Sequence, residues 1–210
     1  MKFEKLVEKF SEAPFFELEE IREISTDSGS QLNNQLSQWT KQDKILRLRR
    51  RKYLLGSQYR KFTPSNYYIS NYLYRPSYVS LETALQYYDL IPEAVATVHS
   101  VTPKHGREWQ NDLGRFVYRS VKRDRFWGYR EDRLDSIPSQ NRFFIARPEK
   151  AILDLIYLNN GEWTKARLRE ARFQSLEILD YEILQKFANK FDSPRVERAT
   201  KRFVEVYKKE

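Results

Sequence analysis

No cysteine occurs in the 210 residues, which excludes a disulfide framework, thiolate metal sites and cysteine nucleophiles and fits a reducing compartment. Histidine is almost as scarce. His99 and His105 are the only two, too few for a histidine-rich metal site. No apolar run approaches the roughly 20 residues that a bilayer-spanning helix requires. The opening segment MKFEKLVEKF carries charge at every turn and has no apolar stretch, so it is not expected to act as a signal peptide. The sequence also lacks a P-loop, G-x-G-x-x-G, G-x-S-x-G and H-E-x-x-H, the spacings that mark phosphate cradles, serine nucleophiles and zinc sites. With only six glycines and no internal repeat, fibrous and low-complexity classes are excluded. These absences predict a cytoplasmic protein with no cofactor, no metal and no membrane association.

Hydrophobic side chains make up 40% of the chain and aromatics 15%, enough for a sizeable core. The formal net charge is +9, and its placement says more than its size. Residues 1–30 hold 4 basic and 8 acidic side chains, whereas residues 31–61 hold 9 basic and 1 acidic. A second basic window, 104–133, holds 9 basic and 5 acidic. Such polarity points to a polyanionic partner.

Phe3, Leu6, Val7 and Phe10 recur at helical spacing, and Pro14 ends that helix. Leu18, Ile21 and Ile24 form the inner stripe of a second, acidic helix. The Ser25–Ser30 cluster turns the chain into a third helix, whose buried stripe is Leu32, Leu36 and Trp39. At 100° per residue, Ser30, Asn34, Ser37, Gln38 and Lys41 fall opposite that stripe, with Gln31 and Asn33 on its flanks. A solvated helix face ordinarily carries Glu and Lys. This one carries amides, which form paired hydrogen bonds with adenine in the major groove. Ser30, Gln31, Asn33, Asn34 and Gln38 are therefore the base-reading candidates.

Alternation through Leu46-Arg47-Leu48-Arg49 predicts a strand with one basic face, Arg50-Arg51 a hairpin tip, and Tyr53-Leu54-Leu55 the return strand. Three helices followed by a basic hairpin is the order of a winged helix-turn-helix, here residues 1–57. Lys41, Lys44, Arg47, Arg49, Arg50, Arg51 and Lys52 become phosphate contacts beside the reading helix. Two competing readings of the run are a solvated charge patch and a nuclear-localisation signal. The alternating leucines argue against both, because they commit the segment to a fold.

Residues 58–78 are dense in tyrosine. Tyr67, Tyr68, Tyr72, Tyr74 and Tyr78 suit a short packed helix bridging two domains better than a base-stacking platform. Beyond them, residues 79–210 predict a mixed domain: a helix from Ser80 to Tyr88, then strands at 94–101, 115–121, 126–130 and 143–146. A helix opened by Pro148 and helices near 163–172, 176–190 and 194–208 complete it. The fold class is thus α+β, a winged helix-turn-helix followed by a mixed α/β domain. Lys104, Arg107, Arg115, Arg119, Lys122, Arg123 and Arg125 suggest a second phosphate-contacting surface in that domain.

Three ordered segments carry a family resemblance. They are Pro76-Ser77-Tyr78-Val79-Ser80-Leu81-Glu82-Thr83-Ala84-Leu85 running on to Leu90-Ile91-Pro92-Glu93, then Val101-Thr102-Pro103-Lys104 with Phe116-Val117-Tyr118-Arg119-Ser120-Val121, and then Ala146-Arg147-Pro148-Glu149-Lys150-Ala151-Ile152-Leu153-Asp154-Leu155. Together they resemble the AbiEi-type antitoxins of type IV toxin–antitoxin systems, over about residues 76–158. The resemblance implies an autorepressor that binds an inverted-repeat operator on double-stranded DNA, with two protomers on the site. It also implies a functional link to a nucleotidyltransferase toxin and a nucleoid-associated location. Two features depart from the family: the wing tip is Arg50-Arg51 where glycine is common, and the region after 160 offers no match.

The alternatives are a stand-alone DNA-binding regulator, a protein-interaction module, and a metal-dependent nuclease. The commonest nuclease site places a lysine two residues after a carboxylate. None of the sixteen lysines has Asp or Glu at that position, so no enzyme is expected. Asp112, Glu131, Asp132 and Asp154 read as solvated or paired carboxylates, and Lys150–Asp154, at i, i+4, as an ordinary helix-surface salt bridge. His99 falls in a predicted strand and reads as a packing residue, and His105, beside Lys104 and Arg107, is a candidate phosphate contact.

Overall fold

A computed structural model describes residues 1–134 and 142–208. The chain is α+β. It begins α1 (Phe3–Phe10), β1 (Phe16–Glu17), α2 (Leu18–Ile24), α3 (Gly29–Lys41), β2 (Ile45–Arg49) and β3 (Lys52–Leu55). The predicted order of three helices and a hairpin is present, with β1 added to the far edge of β3. Two residues of strand are too short to leave a period-2 signature, so β1 had no sequence signal. Leu6, Phe10, Ile21, Leu32, Leu36 and Trp39 close one apolar core with Phe16, Ile45, Tyr53 and Leu55. Ser28 caps α3 reciprocally with Gln31: the Gln31 N–H donates to Ser28 Oγ (3.3 Å) and the Ser28 N–H to Gln31 Oε1 (3.0 Å).

The hairpin divides its leucines: Leu55 faces the three helices, while Leu46, Leu48 and Leu54 face away from them. Ile45 opposes Leu55 and Arg47 opposes Tyr53 on one face, while Leu46 opposes Leu54 on the other. Leu48 and Leu54 join the core of the rest of the chain, and Leu46 packs against it. The hairpin is thus sandwiched between two cores. A β-bulge between Arg47 and Arg49 shifts the register and turns the second arginine away from the first. At the tip, Arg51 takes the left-handed conformation that glycine would adopt without cost (φ 66°).

The remaining elements are α4 (Asn66–Leu73), β4 (Tyr78–Val79), α5 (Leu81–Tyr87), β5 (Thr97–Thr102), β6 (Arg107–Asn111), β7 (Gly114–Ser120), β8 (Tyr129–Asp132) and β9 (Phe143–Ala146). They are followed by α6 (Pro148–Leu158), α7 (Lys165–Glu170), α8 (Tyr181–Lys190) and α9 (Pro194–Tyr207). The strands form one mixed sheet in the order β6-β7-β5-β4-β9-β8. The charged strand β6 was missed in the sequence because its residues are mostly exposed and only Trp109 breaks their polarity.

Both faces of this sheet are covered. On one face Ser100 and Tyr118 meet α4: the Ser70 and Ser100 hydroxyls lie 2.8 Å apart, and the Tyr118 hydroxyl donates to the Ser70 carbonyl at 2.6 Å. On the other, Tyr78 opposes Val101 and meets α6, where its hydroxyl donates to Asp154 Oδ2 at 3.0 Å. That face corrects one expectation. Lys150 and Asp154 do not form a surface pair; both are fully buried. Asp154 also accepts from the Ser80 hydroxyl (2.8 Å), and Lys150 donates to the Tyr78 hydroxyl (2.9 Å) among the rings of Trp127 and Phe191. Burial pushes the Lys150 ammonium below its ordinary range, and Asp154 opposes that shift.

The tyrosine-rich helix bridges the two cores. Phe15 stacks on Tyr72, and the Tyr72 hydroxyl donates to Glu17 Oε1 at 2.8 Å. Lys52 donates to the same Glu17 oxygen at 2.5 Å and lies over the Tyr72 ring. The Lys52 hydrogen bond, helped by Tyr72, holds the Glu17 carboxyl below its usual range.

Candidate nucleic-acid interface

The amide-rich face of α3 lies in solvent as its spacing requires, with Ser30, Gln31, Asn33, Asn34, Ser37, Gln38 and Lys41 all exposed. The cap divides them. Gln31 spends its carbonyl oxygen on Ser28, and Ser30 Oγ lies 3.2 Å from Ser28 Oγ. Asn33, Asn34 and Gln38 make no side-chain hydrogen bond within the described residues, so their donors and acceptors face water. Gln35, one residue off this face, accepts instead from the amino terminus (3.1 Å), which is also paired with Asp27.

The basic residues separate in the same way. Arg49, expected at phosphate, donates to the Leu73 carbonyl and lies over Trp109. Arg51 pairs with Glu19, Lys52 with Glu17, and Lys44 lies over Phe3. The acidic helix α2 and the bulge explain this, because they put carboxylates and carbonyls within reach of the hairpin's outer edge. Lys41, Arg47 and Arg50 have no such partner among the described residues.

Of the second basic set, three members are structural. Arg119 donates to the Leu158 carbonyl, Arg125 to Phe191 O (3.0 Å), Tyr157 Oη (2.8 Å) and Asp192 O (3.2 Å), and Lys104 to Arg75 O (2.6 Å). Arg115 is paired with Glu108 on the surface. Arg107, Lys122 and Arg123 stay exposed and unpaired among the described residues. Period-2 alternation does put Arg115 and Arg119 on one side of β7, but that side is the one carrying Arg119 to the end of α6. The two histidines divide similarly: burial pushes His99 down from its ordinary value, with Glu82 opposing, while His105 is exposed.

Two adjoining grooves collect Asn33, Lys41, Arg47, Arg50 and Arg107, while Asn34 and Gln38 stand outside them on the open face of α3. One, of about 470 Å³, runs between α3 and the hairpin and is lined by Asn33, Ser37, Lys41 and Arg47 among others. The other, of about 750 Å³, opens between the hairpin and β6 and is lined by Arg47, Arg49, Arg50, Arg107, Trp109 and neighbours. Arg47 belongs to both, and among the described residues neither groove has an Asp or Glu in its wall. Arg107 reaches the hairpin because it shares a face of β6 with Trp109, whose ring packs on Tyr74 and Tyr118. Sequence reading placed Arg107 in a separate surface; only the unrecognised strand β6 brings it beside the hairpin.

The arrangement suits a polyanion whose edge carries hydrogen-bonding groups. Amides point outward from a helix about 13 residues long, flanked on one side by guanidinium groups at the spacing of a hairpin. Phosphate oxygens would meet the arginines and base edges the amides. Compared with protein-family models and with curated proteins, the chain matches none.

Proposed function

We propose that the protein is a sequence-reading DNA-binding repressor, with residues 1–57 acting as a winged helix-turn-helix. One observation carries the reading: an exposed amide face on α3 borders a groove that continues across the hairpin into a second, the two containing Lys41, Arg47, Arg50 and Arg107 and, among the described residues, no carboxylate. A charge patch alone serves any polyanion. Amides on a helix face add discrimination between base pairs. One such helix per chain places two protomers on an inverted repeat. The ordered motifs at 76–158, similar to the AbiEi-type antitoxins, extend the proposal to an autorepressor that counteracts a nucleotidyltransferase toxin from the cytoplasm.

The division of labour is testable with single variants. Asn34→Ala is expected to cost about 1–3 kcal/mol on the best operator and to relax preference at one base position. Arg50→Ala is expected to weaken all sequences alike and to lower the salt slope by about one unit. Fluorescence anisotropy on specific and scrambled duplexes reads both, and equal losses on the two duplexes for Asn34→Ala would contradict a base-reading role.

A further inference from the structure

A separate cavity of about 360 Å³ lies where α4 and the Arg75–Ser77 segment meet β8 and β9. It shares no residue with either groove of the DNA surface. Two buried polar atoms in its wall, Asn71 Nδ2 and Ser77 Oγ, have no partner among the described residues. Asn71 is 6% exposed; its Oδ1 accepts the Phe144 backbone N–H at 2.5 Å, which fixes the amide's orientation and leaves Nδ2 with no acceptor. Ser77 is 5% exposed, and its Oγ has no partner either. Unpaired buried polar atoms are costly in a folded protein and mark a place where another molecule completes the bonding.

The rest of the wall shows what kind of molecule. Phe144 is 44% exposed, although its strand neighbours Phe143 and Ile145 are buried. Its ring meets Tyr129 edge-on at 5.8 Å, and Phe126 lies 5.2 Å from Tyr129. These rings form an apolar corner at the mouth of the cavity, the exposed Phe144 ring standing at 81° to Tyr129. Arg75 is exposed, its guanidinium lying over the Tyr72 ring (5.6 Å) and within electrostatic reach of Glu17, while Arg142 is tied to Glu131 at 2.9 Å. A hydrocarbon would leave Asn71 and Ser77 unsatisfied, and a cation would meet Arg75. A flat ring bearing acceptor atoms, with an anionic group attached, satisfies all three.

We propose that this pocket binds a planar heteroaromatic anion of mononucleotide size. The base stacks on the exposed Phe144 ring with its edge towards Tyr129, its ring acceptors meet Asn71 Nδ2 and Ser77 Oγ, and its phosphate meets Arg75. The nucleotide comes from one of two sources, the free pool or an unstacked position in a DNA strand. The proposal does not rest on the DNA-reading surface.

The test titrates the full-length protein with AMP, GMP, CMP and UMP, and separately with a single-stranded dodecamer, by calorimetry. Phe144→Ser and Arg75→Ala serve as variants because both side chains are exposed; an unchanged urea midpoint verifies their folds. At least one mononucleotide or the strand is expected to saturate with a Kd of about 1 mM or lower, and each variant to weaken it by about tenfold. Saturation by a mononucleotide assigns the free pool; saturation by the strand alone, weakened by the same variants, assigns DNA. No saturation by any of these probes, or affinity unchanged in Phe144→Ser, would overturn the proposal.

Discussion

Asp154→Ala is expected to cost about 3–5 kcal/mol of folding stability, because it strands a buried ammonium. In the native protein Lys150 and Asp154 are fully enclosed and paired. Asp154 also accepts from the Tyr78 and Ser80 hydroxyls. Alanine removes the partner of Lys150, leaves the Ser80 hydroxyl without its acceptor, and opens a small void beside α6. Lys150→Met should cost clearly less, since Asp154 keeps two hydroxyl donors and methionine fills much of the lysine volume among Tyr78, Trp127 and Phe191. The double variant Lys150→Met/Asp154→Leu should recover most of the loss, because buried ion pairs are often replaceable by well-packed apolar groups. Urea unfolding of the three proteins reads this directly. A loss under about 1 kcal/mol for Asp154→Ala would mean the pair is worth no more than a surface bridge.

The second large effect concerns DNA. Combined Arg47→Ala, Arg50→Ala and Arg107→Ala is expected to lower the slope of log K against log salt by about 2.7 units, since each neutralised phosphate contributes about 0.9. These three arginines line the hairpin grooves and have no protein partner among the described residues. The matched control is Arg115→Ala, Lys122→Ala and Arg123→Ala, which also removes three positive charges but touches neither groove. If both sets reduced the slope equally, the DNA would be responding to overall charge. Arg107 is the informative member, because it belongs to the second sheet and not to the hairpin.

How far the sequence foretold this follows from where its signals were local. The helices of residues 1–57 and the helix after Pro148 were legible, because apolar periodicity and caps act within a few residues. The exposure of Asn34 and Gln38 was legible for the same reason. Three things were not. A spacing of i, i+4 places Lys150 beside Asp154 but is silent on which side of α6 meets the sheet, so a buried pair reads as a surface one. Alternation in β2 assigned both arginines to one face, and a single bulge between Arg47 and Arg49 cancelled that. The 144–71 contact behind the pocket is set by the packing of α4 against β9, segments distant in sequence, and no local pattern encodes it.

The central claim is that the α3 face reads base sequence. Selection of binding sites from a pool of random duplexes by the full-length protein tests it most directly, with Asn34→Ala/Gln38→Ala run in parallel. The account predicts that wild type enriches an inverted repeat, and that the variant loses preference at defined positions in each half-site while still binding bulk DNA. Enrichment of no sequence by wild type, or the same repeat enriched equally by the variant, would contradict it.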